Sequence, residues 1–482
     1  MKSSHTKVTG AALLVTLGIV FGDIGTSPLY VISSILNKNV VTPTLVLGGL
    51  SCIFWTLTVQ ATFKYVWITL QADNHGEGGV LSLFSLIKRT APKWTIYVAM
   101  LGCAALLADG MITPAISLTA SVEGLKTLND SVPVLPIVVV ILIGLFTFQQ
   151  FGTDKIGKSF GPIMLIWFSM LLILGFTSLM HDPTVFRAIN PIYAYDLLTS
   201  HPGAWVIIGA VFLSVTGAEA MYADLGHVGK TNIRITWIFV KAALLINYFG
   251  QGAWVLSHMD GQVFSGINPF FEIMPRWFVG IGVVIASLAS VVASQALISG
   301  SFSLINEAVK LETWFRVQIL YPSKHRQQIF IPMINHILFL GSVTIVLYFQ
   351  TSLATVHWNP QDDHNNNQKL VYGEWRLEER WLEGQVLVGA AAFSNSFYQP
   401  SQFVFGGLLW RPFDSAPAAY AKIAAGVLHG YKGDYQDNIP FNSSGFAPAI
   451  IGSAGYCYNR VCSELVLIGT AGLMWTLGVT LP

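Results

Sequence analysis

The sequence predicts an α-helical polytopic membrane bundle followed by a β-rich C-terminal segment. Three observations predict it. Charged residues make up 11% of the 482 and hydrophobic residues 53%, whereas a soluble globular chain carries about 25% charged residues. Nine predominantly apolar stretches follow one another between positions 11 and 350, each near the roughly 20 residues that a membrane helix needs. Beyond position 352 the apolar runs become short and alternating, with glycines between them, which reads as strands and turns.

The same composition excludes several classes. A net charge of +1 gives no basic field for nucleic acid. Four cysteines in 482 residues are too few for a disulfide framework. The histidines show no metal-ligand spacing, and neither a phosphate-binding glycine motif nor a nucleophile elbow is present, so no enzyme activity and no cofactor is expected.

The nine stretches are 11–35, 43–71, 97–125, 134–152, 160–180, 204–226, 233–257, 277–301 and 332–350. The first is not a signal peptide, because it carries Asp23 and runs on to Val31 without a small-residue cleavage pattern. Loop charge sets orientation. With the N-terminus in the cytoplasm, thirteen Lys and Arg fall on inside ends and loops, from Lys2 to Arg326. The outside loops between the stretches hold four, Lys38, Lys126, Arg187 and Arg276.

Chemistry-bearing residues interrupt three of the stretches. The first reads Gly22-Asp23-Ile24-Gly25-Thr26-Ser27-Pro28-Leu29-Tyr30. Two glycines and a proline weaken a helix at mid-span, and a carboxylate inside a membrane costs enough that it usually serves a purpose. A kink with its acid satisfied by a neighbouring hydroxyl is the plainer reading. The sixth stretch, Ser214 to Asp224, again sets a glycine and an acid, Gly217 and Glu219, in an apolar run. First and sixth helices that are both interrupted and acidic suggest a LeuT-like five-plus-five inverted repeat, whose broken helices line a cation site. The third stretch offers Asp109 and Glu123, fourteen residues apart and so about 21 Å along a helix. They cannot hold one ion together: one binds and the other gates. The loop Asp73 to Gly79 reads as a tight inside turn, and the serines of 287–301 as close helix packing. A site of carbonyl and hydroxyl oxygens with limited anionic charge suits a large, weakly hydrated monovalent cation. A carboxylate that must lose its proton to favour the ion couples the two.

At these residues the chain resembles the KUP (KUP/HAK/KT) family of potassium uptake permeases. The matching motifs are GDIGTSPLY at 22–30, DNHGEGGVLSL at 73–83, DGMITPAIS at 109–117, SVEGL at 121–125, TGAEAMYADLGHVG at 216–229, NYFGQGA at 247–253, ASQALISGSFSLINEAV at 293–309 and IPMINHILF at 331–339. The resemblance runs from about Val8 to Ser352. It implies potassium–proton symport in a bacterial inner membrane, with potassium and protons as the transported species. It ties Asp23, Glu123 and Glu219 to transport and puts Tyr30 and Thr216 near the potassium. Asp109 and Asp224 are expected in gating, and a homodimer is left open.

Members of that family carry roughly twelve spans and a cytoplasmic domain. This chain departs after its ninth stretch, so the bundle is expected to occupy 1–352 and to be incomplete. Residues 353–482 are expected to form a β-rich, periplasmic segment, with strands at Gln385–Phe393, Gln402–Trp410 and Ser463–Thr480. They look like small outer-membrane β proteins, which points to a gene fusion or a joined reading frame. In a periplasmic tail Cys457 and Cys462 would close a short disulfide, while Cys52 and Cys103 stay reduced. Two alternatives stand beside symport: a relic that binds cation without cycling, and a C-terminal β module anchored by the helices.

Overall fold

The computed structural model describes residues 8–479 apart from 38, 75–76, 89, 130–131, 152–153, 265–266, 312, 323–328, 347, 358–369, 413–417, 443–444, 459–460 and 469–471. The chain divides between Ser342 and Val343 into two compact units.

The first unit is helical. Its principal helices are α1 (Gly10–Val20), α2 (Gly22–Leu29), α3 (Pro43–Gln71), α4 (Thr95–Thr127), α5 (Val134–Phe148), α6 (Asp154–Leu179), α7 (Ala204–Ala223), α8 (Lys230–Met259), α9 (Val279–Lys310) and α10 (Pro332–Val346). Starts are set by local chemistry. Thr9 caps α1 by accepting from the Ala12 amide, and Thr42 caps α3 by accepting from the Leu45 amide ahead of Pro43.

Among the described residues six helices are long and apolar enough to cross a membrane, and seven if α1 and α2, bent by 71°, count as one. Helices α5 and α10 occupy the fourth and ninth stretches but have 15 residues each. At 1.5 Å per residue that is about 22 Å, short of a hydrocarbon core of about 30 Å. The nine-span expectation therefore reduces to seven helices of spanning length and two shorter ones.

Helix α6 packs along both α1 and α8, burying Trp167 and Phe168 completely. In lipid the apolar effect does not drive helices together, so close backbone approach has to. At the α6–α8 crossing a Cβ on Gly175 would lie 2.5 Å from Asn247 Cα. No side chain fits there.

The second unit is a closed antiparallel barrel of eight strands in sequence order. They are β1 (Tyr348–His357), β2 (Val371–Trp381), β3 (Gly384–Ser394), β4 (Pro400–Trp410), β5 (Ala419–His429), β6 (Phe446–Tyr458), β7 (Val461–Ile468) and β8 (Gly472–Val479). Strand β1 closes the ring by pairing with both β2 and β8. It begins within the expected ninth span, 332–350, because an apolar run of this length does not separate helix from strand by hydropathy. The expected strand Ser463–Thr480 is two, β7 and β8. Cys457 and Cys462 are disulfide-bonded directly across the β6–β7 pair, and Cys52 and Cys103 are free.

Among the described residues, four charged side chains form one network inside the barrel. Lys422 Nζ lies 2.9 Å from Glu374 Oε2 and 2.8 Å from Glu464 Oε1, and Arg376 Nε donates to Glu374 Oε1 at 2.7 Å. The Tyr372 hydroxyl donates to Glu374 and the Tyr420 hydroxyl to Glu464.

Gly175→Ala is expected to destabilise the helical unit by about 1–3 kcal/mol through overpacking, read as a lower thermal midpoint in detergent. Gly144→Ala, at a position with no heavy atom within 4 Å, is expected to leave the midpoint in place.

Candidate cation site

Two helices break at the residues the sequence singles out. Between α1 and α2, Phe21 leaves helical space (φ −107°, ψ 10°), two residues before Asp23. In α7 the α-helical turn ends at Phe212, a 3-10 turn covers Leu213–Val215, Thr216 is extended (ψ 135°), and helix resumes only at Ala220. Between them Gly217 has φ +85°, a region that glycine enters without steric cost.

The two breaks meet. A Cβ on Gly217 would stand 2.6 Å from Asp23 Oδ2 and 2.7 Å from the Ile24 amide nitrogen, so the unwound part of α7 lies directly on the acid of α2. Ser27 Oγ ties the segments together by donating to the Leu213 carbonyl at 2.9 Å. Helix α4 supplies the third side. One carboxylate oxygen each of Asp23, Asp109 and Glu219 lie within 4.8 Å of one another.

The carboxylates are unequally satisfied. Asp23 is 2% exposed, and neither of its oxygens has a hydrogen-bond partner. Asp109 Oδ1 accepts from Thr113 Oγ1 at 2.8 Å, while its Oδ2 is unpartnered. Among the described residues none of the three acids forms a salt bridge. Neutral oxygens stand nearby. Thr26 Oγ1 donates to the Asp23 carbonyl and lies 3.3 Å from Ser117 Oγ. The Tyr30 hydroxyl is 3.4 Å from Ser27 Oγ, and the Ser214 hydroxyl is buried without a partner. Asp23 is buried while Asp109 and Glu219 are partly exposed, and three acids this close, with no ion pair to any of them among the described residues, favour a proton or a cation among them. The donor set, carboxylate with hydroxyl and carbonyl oxygen, suits a hard monovalent cation.

The predicted residues do not all converge. Asp23, Glu219 and Asp109 do, although spacing alone assigned Asp109 no particular partner. Thr216 lies in the α7 break, and Tyr30 reaches the α2 hydroxyls. Glu123 is exposed at the last α-helical turn of α4, apart from the cluster. Asp224 lies beyond α7, its Oδ1 3.9 Å from His227 Nδ1. Of the loop Asp73 to Gly79, His75 and Gly76 lie outside the described residues. The rest meets the end of α7, where a Cβ on Gly78 would run into the Tyr222 carbonyl, and just before the loop the Ala72 carbonyl accepts from the Tyr222 hydroxyl. Sequence reasoning passed over Thr113, Ser117 and Ser214. Thr113 carried a usable signal, four residues after Asp109 and so on the same helix face. Of the α9 serines, Ser290 donates to the Ser117 carbonyl and Ser294 to the Ser290 carbonyl, as expected of packing.

A family profile described as the K+ potassium transporter integral membrane domain matches residues 10–357, ending on the last residue of β1. Among curated proteins, a "Probable potassium transport system protein Kup" of Cytophaga hutchinsonii is 56% identical over 356 residues, covering 73% of this chain and 54% of that protein. Proteins of the same name from Flavobacterium johnsoniae (54% identical, 73% of this chain and 54% of that one) and Clostridium perfringens (53% identical, 73% and 56%) are comparably similar. The chain spans about half the length of the curated relatives it matches.

Gly217→Ala is expected to lower the thermal midpoint. Positive φ costs about 1–2 kcal/mol for a residue with a Cβ, and that Cβ displaces Asp23. Gly209→Ala, on the same helix with open space around it, is the control, and an equal shift in both variants would contradict the packing described.

Proposed function

The chain belongs to the family of the K+ potassium transporter integral membrane domain, and on that premise we propose that it takes up potassium by K+/H+ symport across the inner membrane. The observation that carries this reading is the cluster of Asp23, Asp109 and Glu219, in which the buried Asp23 carboxylate has no partner of its own. In the proposal potassium sits beside Asp23, held by oxygens of the two breaks near Tyr30 and Thr216. A proton exchanges on the same carboxylates as the ion comes and goes, which couples the two fluxes. Broken helices α2 and α7 then correspond to the paired interrupted helices of a LeuT-like inverted repeat. The reading keeps nine passages with the N-terminus in the cytoplasm, counting α5 and α10. Relatives about twice as long as the matched region are named as potassium transport proteins, which supports the choice of ion.

The test is rubidium uptake, with potassium-limited growth, in a bacterium stripped of its own potassium uptake systems and expressing the whole chain. Proton-dependent uptake is expected. Its absence, with the protein shown in the membrane, would overturn the proposal. Asp23→Asn is expected to abolish uptake without changing membrane insertion, and normal uptake by that variant removes Asp23 from the mechanism. Uptake driven by an inward proton gradient rises as external pH falls, and Glu219→Gln is expected to flatten that rise. An unchanged profile moves the proton elsewhere.

A further inference from the structure

Strands β3–β8 of the C-terminal barrel carry their charges on the side opposite to that of a barrel in water. Within these six strands themselves, connecting segments excluded, there is one lysine, Lys422, one glutamate, Glu464, and no aspartate or arginine. Both side chains point inward, 4% and 1% exposed. They are paired there with Glu374 and Arg376 in a network whose two positive and two negative groups cancel. Successive strand residues face opposite sides of a sheet, so the alternate positions form the outer wall. Val404, Ile423, Val427, Ile450, Leu465 and Leu467 stand on it, between 50% and 75% exposed.

We infer that the outer wall is a lipid-facing surface and that residues 348–479 form a transmembrane β-barrel, with the acyl chains of a phospholipid bilayer as its partner. Three features select that partner over another protein. Exposed apolar residues stand on six consecutive strands, with Val388 on β3 and Trp475 on β8 exposed as well as the residues of β4–β7. A second copy of the chain would cover one side of a ring, whereas a bilayer covers all six of these strands. Closure leaves no strand edge, so the ladder satisfies its own peptide groups, as hydrocarbon requires. Strands β2–β5 have 11 residues each. At about 3.3 Å per residue and a tilt near 45° they rise about 25 Å, the height of a membrane barrel's apolar band. Trp381, Tyr456 and Tyr458 are exposed at one end of the wall, where an aromatic girdle would meet headgroups. The buried network belongs to the same design, since a wall facing lipid carries no charge and the polar groups must be satisfied inside.

The experiment uses the unaltered whole chain in vesicles of phosphatidylethanolamine and phosphatidylglycerol. A carbene-generating diazirine confined to the acyl-chain layer is photolysed, and labelled residues are located by mass spectrometry. Ile173 on α6, 61% exposed, is an internal control for a residue facing lipid. Ile423, Val427 and Ile450 are expected to be labelled to a level comparable with Ile173. Labelling is expected to be lost at the inward Ala424 and at Phe441, which lies between β5 and β6 and is 88% exposed. Label on Ile173 but not on the three strand residues overturns the inference. So does protection of those strand residues accompanied by cross-links between copies, which would assign the wall to a second chain. The readout is independent of ion uptake, so a failure here leaves the transport reading standing, and the converse holds.

Discussion

Hydrocarbon offers a peptide group no hydrogen-bond partner, and a membrane helix that breaks must find one within the protein. Three carbonyls that follow the first break are claimed by side chains from elsewhere in the bundle, while those of Asp23 and Ser27 are satisfied within the segment by Thr26 Oγ1 and the Tyr30 amide. Trp167 Nε1 donates to Gly25, Gln251 Nε2 to Pro28 and Asn268 Nδ2 to Leu29, each within 2.9 Å. The carbonyl of Leu213, at the second break, is taken by Ser27 Oγ. The breaks are thus held by α6, α8 and the segment that follows α8, and the packing of those helices is arranged around them. What the surroundings leave unpaired is the Asp23 carboxylate.

The molecule treats buried charge in two opposite ways. In the barrel, Glu374 and Glu464 meet Lys422 and Arg376, and tyrosine hydroxyls occupy remaining lone pairs. That network is complete in itself and asks nothing of the solvent. In the helical unit, three acids converge, and among the described residues none of them has an ion-pair partner. Such a cluster calls for protons or a cation that the chain does not itself supply, which is the basis of the transport proposal. The difference between a structural and a functional arrangement of carboxylates lies in whether the chain itself closes the charge balance.

Much of this was legible in the residues. Gly22, Pro28 and Gly217 announce the two helix breaks, because each either loses a donor or admits a conformation that others resist. The acids within those breaks follow from the cost of placing a carboxylate in lipid. Less legible was which acid of α4 joins them. Asp109 and Glu123 sit on one long helix, and nothing in their spacing reveals which turn faces α2. The start of strand β1 was hidden because Tyr348 and Phe349 prolong the apolar run of the preceding helix. Strands β7 and β8 merged into one run for the same reason. That the strands close into a ring, and so which of their faces is inside, is a long-range property that alternation alone does not specify.

The disulfide between Cys457 and Cys462 acquires meaning from the position of Glu464. Side chains alternate with a period of two, so a slip of β7 against β6 by one residue would exchange the two faces of the strand. Glu464 would then point outward, and Ser463 or Leu465 would occupy its place opposite Lys422. Because the two cysteines face each other in the native pairing, the covalent bond cannot survive such a slip. It acts as a ratchet pawl on the hairpin, excluding the one misalignment that would strand a carboxylate on the apolar wall and leave a lysine short of a counterion. A bond that closes so short a loop contributes little through chain entropy, and its value lies in choosing among registers.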